Sequence, residues 1–174
     1  MIILLEMLQD ITHNLKESKQ GVMALVECHV DMTCNHQKAS ETLEEYFKIF
    51  MARISTVNAH GGNAGYHKVL YNKHLVALKE ERGITAMTLS GMSSNDERDL
   101  MQDLAETAME SSCKEFNSCL LLLMADGERY NPLKLHLANE HLSKEGIYPK
   151  KLVEMKRLIG KFSAPGVKAP APAP

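Results

Sequence analysis

Tryptophan is absent from the 174 residues, aromatic side chains supply only 5% of them, and leucine, methionine, alanine, glutamate and lysine dominate in their place. All five favour helix, and strand formers are scarce, so a sheet-based fold has little to be built from. No cysteine pair has CxxC spacing. Cys28 and Cys34 lie six apart, as do Cys113 and Cys119, which suits neither a zinc knuckle, a zinc ribbon nor a redox dithiol. Residues six apart on a helix point away from each other. The four thiols therefore read as small packed hydrophobes in a reducing, cytoplasmic compartment.

Chemistry-bearing motifs are missing as well. HExxH and GxSxG do not occur, and His136 and His141 are five apart, off a common helix face. The densest candidate cluster, Cys28, His29, Cys34 and His36, has no common zinc spacing. Gly61, Gly62 and Gly65 are followed by no Lys-Ser or Lys-Thr pair, which removes the phosphate cradle and leaves a helix stop. Paired acids such as Glu44-Glu45 and Glu80-Glu81 fall on predicted solvated faces. The expectation is no catalytic, cofactor-binding or metal-binding residue, no cofactor, no small-molecule substrate, and a protein that is not an enzyme.

Long apolar runs are lacking too. The run Cys119 to Ala125 is far shorter than the ~20 residues a membrane span requires. Met1-Ile-Ile-Leu-Leu has no basic flank and is interrupted by Glu6 and Asp10, so it reads as an amphipathic helix and not as a signal peptide. No membrane partner is expected.

What is present is helical periodicity. Thr42 and Glu45 form a capping box, and Leu43, Tyr46, Phe47, Phe50, Ile54 and Val57 follow at 3–4 spacing, predicting a helix to about Ala59. A second helix is predicted from Tyr66 to about Arg82, with Tyr66, Val69, Leu70, Ala77 and Leu78 inward, then a loop over residues 84–94. Ser94 or Asn95 caps the longest helix, whose Met101, Leu104, Ala105, Ala108, Ser112, Phe116, Cys119, Leu120 and Leu123 recur on one face. Its last turns are apolar all round, which places its end in the core. A shorter helix is predicted from Pro132 to Gly146, and a last one begins at Tyr148-Pro149 and carries Leu152, Met155, Leu158, Ile159 and Phe162. Upstream, helices are predicted over about 3–19 and 21–34. The fold class is thus all-α: a bundle of about six to seven helices over residues 1–162, as one body or two small lobes, with a disordered Ala/Pro-rich tail over 163–174.

Charge is unevenly spread. Residues 144–174 carry +5 against −7 elsewhere, and Lys150, Lys151, Lys156, Arg157 and Lys161 are the candidate contacts to nucleic acid, as phosphate-neutralising charges without base readout. A solvated helix face accounts for the same charges.

The order of segments resembles the Gag-like, capsid-forming region of long-terminal-repeat retrotransposons of the copia type found in algal and diatom genomes. The resemblance rests on Thr42 to Phe50, on His60-Gly61-Gly62-Asn63-Ala64-Gly65-Tyr66-His67, and on Leu120-Leu121-Leu122-Leu123-Met124-Ala125-Asp126-Gly127-Glu128-Arg129-Tyr130. Leu133 to Leu142 and Tyr148 to Ile159 complete it. It implies an all-helical module that self-associates around the element's RNA. Family members continue into a Cys-Cys-His-Cys zinc knuckle that grips RNA, a motif these residues do not contain. The functional expectation is accordingly homotypic assembly, with weak, non-specific RNA contact through the basic segment. The alternative is a monomeric adaptor that binds a peptide or helix in a Met/Leu-lined groove.

Overall fold

The computed structural model describes residues 23–34, 36–143 and 148–162. The expected helix over 3–19, the expected tail over 163–174, and Lys144 and Lys168 lie outside them. The described residues form seven helices and no strand: α1 (23–34), α2 (Leu43–Ala59), α3 (Lys68–Glu81), α4 (Ala86–Ser90), α5 (Ser94–Met124), α6 (Gly127–Ser143) and α7 (Leu152–Lys161). The all-α class is therefore what the chain adopts.

α2 starts as its sequence dictates. The Thr42 hydroxyl accepts from the Glu45 N–H at 3.2 Å, and the Glu45 carboxylate accepts from the Thr42 N–H at 2.9 Å, satisfying two donors that a helix start leaves open. Its buried stripe is Tyr46, Phe50 and Val57, flanked by half-buried Leu43, Phe47 and Ile54. Tyr46 is fully buried and donates its hydroxyl to the Leu121 carbonyl at 2.9 Å, tying α2 to the end of α5. Burial pushes that phenol far above its ordinary range.

The turn after α2 needs glycine at three places, and the first, Gly61, sits at φ +78°. Gly65 sits at φ +84°, and a Cβ there would also strike the Asn117 side chain, whose Nδ2 donates to the Ala64 carbonyl at 2.9 Å. At Gly62 a Cβ would collide with Leu25 of α1 and crowd Val57.

Several local expectations are corrected. α3 turns Leu70, Tyr71, His74, Leu75 and Leu78 toward α5, while Tyr66, Val69 and Ala77 are exposed. The polar His74 occupies a core-facing position because its ring bonds Glu115 at 2.8 Å, and that hides the true stripe from a purely apolar periodicity. The expected loop over 84–94 contains the short helix α4, capped by Thr85. Ser93, not Ser94 or Asn95, caps α5 through the Asp96 N–H. α6 begins five residues before Pro132, because Asp126 accepts from the N–H groups of Glu128 and Arg129 and nucleates the first turn there.

Tyr148-Pro149 does not start α7, which begins at Leu152. The preceding turn is held by the buried Ser118 of α5, whose hydroxyl donates to the Pro149 carbonyl. The five predicted inward residues of α7 are buried or half-buried.

The end of α5 lies in the core as expected, with Leu120, Leu121, Leu122, Met124 and Ala125 buried. Leu123 is the exception at 58% exposed. α5 is tied to α3 and its flanking residues through Ser112 to the His67 carbonyl, Lys73 and His74 to Glu115, and Arg82 to Asp103. α3, α4 and the start of α5 thereby form an arm that carries no fully buried side chain from α3.

Candidate functional site

The five predicted nucleic-acid contacts do not share one environment. Helical spacing puts Arg157 and Lys161 on the outward face of α7, opposite buried Met155 and Ile159, and both are exposed. Lys150 is exposed in the turn before the helix. None of these three has an ion-pair partner among the described residues. Lys151 is 3.8 Å from Glu154 with both side chains open to solvent, a pairing worth little.

Lys156 is different. Its ammonium is 2.6 Å from Glu44 and 4.5 Å above the Phe47 ring, so it fastens α7 to α2. That hydrogen bond holds the Glu44 carboxyl below its usual value. Periodicity puts Lys156 at the border of the buried stripe, four residues after Leu152, without saying which helix it meets there.

At the other end of the core, the junction of α5 and α6 is clamped by Arg129. Its guanidinium donates to Asp126 at 3.0 Å and to the carbonyls of Lys38, Ala39 and Glu41 at 3.0, 2.6 and 3.0 Å. Gln37 completes the link, donating its N–H to the Met124 carbonyl and accepting from the Asp126 N–H. Burial works to raise the Asp126 carboxyl, but the Arg129 and Glu128 donors outweigh it and hold it below the usual carboxylate range. Lys134 donates to the carbonyls of Leu123 and Ala125 and so caps the end of α5, with burial lowering its ammonium below the ordinary lysine value. The run Leu120 to Tyr130, read from sequence as a phrase of the resemblance, is this clamp.

Beside it lies an apolar groove of about 400 Å³ lined by Phe116, Cys119, Leu120, Leu122, Leu123, Lys134, Ala138 and Tyr148. Leu135 and Leu142 stand on the same outward side of α6 as Ala138 and are exposed at 61% and 88%. A wider cleft of about 760 Å³ runs between the glycine turn and α5, lined among others by Tyr71, Glu106, Met109, Glu110, Lys114 and Asn117.

The thiols are held protonated where the structure constrains them: burial raises Cys113, and burial followed by the nearby Glu115 charge raises Cys119. Glu115 itself is kept low by Lys73 and His74 against the opposing effect of burial. Among the described residues no three His, Cys, Asp or Glu side chains gather where they could hold an ion. Nor is any described helix long and apolar enough to cross a membrane. The chain matches no family model, no curated protein and no solved structure.

Proposed function

We propose that the chain is a non-enzymatic helical module of the retrotransposon Gag type, whose work is homotypic assembly accompanied by weak, sequence-indifferent RNA contact. The observation that carries the reading is the leucine groove. Leu123 stands open on a helix end whose other leucines are buried, and Leu135 and Leu142 continue an apolar surface beside it. Contiguous exposed apolar surface of this kind supports docking of another chain there. For RNA, support comes from Lys150, Lys151, Arg157 and Lys161. Lys156 is spent on Glu44 and Phe47 and is left out of the contact.

Light scattering on the purified chain over a concentration series tests assembly, with a mass that rises with concentration as the expected result. Fluorescence anisotropy with single-stranded RNA tests the second part. Changing those four basic residues to glutamine should abolish binding, and the wild-type log–log salt slope should be about −0.7 per phosphate contact.

A second reading uses the same groove. A monomeric adaptor would take a partner's helix there, in a groove lined by leucine and phenylalanine without methionine. Constant monomer mass with capture of an amphipathic peptide would favour it.

A further inference from the structure

We infer that the methionine tip of the α3–α4–α5 arm is the element that occupies the leucine groove of a second copy, in a head-to-tail contact between opposite ends of α5. This rests on the assembly reading above and names its two surfaces.

The tip presents two exposed methionines. Met87 on α4 is 84% exposed and Met92 beside it is exposed as well, both in the short connection between α3 and α5. A groove walled by Leu120, Leu122, Leu123 and Phe116 suits methionine, whose unbranched side chain adapts to irregular apolar walls.

Geometry decides that the contact joins two molecules. α5 has 31 residues, so its ends stand roughly 46 Å apart at the standard rise. The tip is at its first residues and the groove at its last turns. A chain cannot fold its own tip into its own groove while α5 stays helical.

Charge favours the same pairing. Residues 80–103 carry a net −4, with Asp96, Glu97 and Asp99 beside Met92. Among the described residues the groove is lined by no acid, its one charged side chain is Lys134, and exposed Lys150 follows Tyr148 by two residues. Opposite signs at the two surfaces steer tip to groove and oppose tip-to-tip contact. Because each copy offers one tip and one groove, the contact is heterologous and builds rings or open filaments.

The test is sedimentation velocity on the full chain and on two variants, Met87→Asp at the tip and Leu123→Asp in the groove, alone and mixed. Both positions are exposed, and circular dichroism checks that each variant stays helical. Ala138→Gln serves as a second groove variant. Each variant alone should associate about tenfold or more weakly than wild type, the effect of losing one apolar anchor. Mixed in equal amounts, the two variants should form a 1:1 complex that grows no further, since the pair keeps one intact tip and one intact groove. If wild type assembles while both variants assemble equally well, the assembly reading stands and this contact is refuted. Variants that fail alone and fail to complement would show a symmetric contact and refute it too. A wild type that stays monomeric would overturn the assembly reading itself.

Discussion

Replacing Arg129 with alanine removes four hydrogen bonds at once: one to the Asp126 carboxylate and three to the carbonyls of Lys38, Ala39 and Glu41. The pair is well shielded, with side chains 13% and 9% exposed. Breaking one partner of a buried ion pair costs about 3–5 kcal/mol. Two facts lower that figure. Asp126 keeps the N–H donors of Glu128 and residue 129, and the freed loop carbonyls lie near solvent, where water replaces the lost donors at little cost. The expected loss is therefore about 2–3 kcal/mol. Arg129→Lys should recover only part of it, because an ammonium lacks the planar fork that spans the loop. Urea denaturation followed by circular dichroism measures both variants. A loss below about 0.5 kcal/mol for Arg129→Ala, the ordinary range for a surface substitution, would refute the clamp.

Tyr46→Phe leaves the Leu121 carbonyl without its buried donor and should cost about 1–2 kcal/mol in the same assay. The Asp126 carboxyl is depressed in the folded state, so its contribution is complete above the unfolded value near ~3.9 and is lost as pH falls through the lower folded value. Wild-type stability should accordingly drop below about pH 4 more steeply than that of Arg129→Ala, as read from urea midpoints across a pH series. Timed iodoacetamide labelling with mass spectrometry at neutral pH should modify exposed Cys34 well before Cys113 and Cys119, which burial keeps protonated. Equal rates at the three sites would contradict that.

Where a side chain's role is local and apolar, the sequence was a sufficient guide. The capping box at Thr42, the stripe Tyr46, Phe50 and Val57, and the inward face of α7 follow from spacing alone because burial there is by apolar residues at helical period. Reading failed where polar groups did the packing. His74 faces α5 through a hydrogen bond to Glu115, Ser118 holds the α7 turn through a carbonyl some thirty residues away, and Asp126 moved the start of α6 ahead of Pro132. The candidate site divides in the same way. Arg157 and Lys161 were legible as an outward basic face, but the capture of Lys156 by Glu44 depends on which helix lies opposite, which one chain's periodicity does not contain. The leucine groove was invisible for a related reason. The run Leu120 to Met124 looks uniformly buried until α6 crosses it and leaves Leu123 uncovered.

The central claim is that this chain acts by contacting copies of itself. Sedimentation equilibrium of the wild-type chain across a wide dilution series at physiological salt tests it most directly. Assembly predicts a weight-average mass that climbs with concentration, and a rise displaced to about tenfold or more higher concentration when Leu123 is replaced by aspartate. A single monomer mass at every concentration would contradict the account.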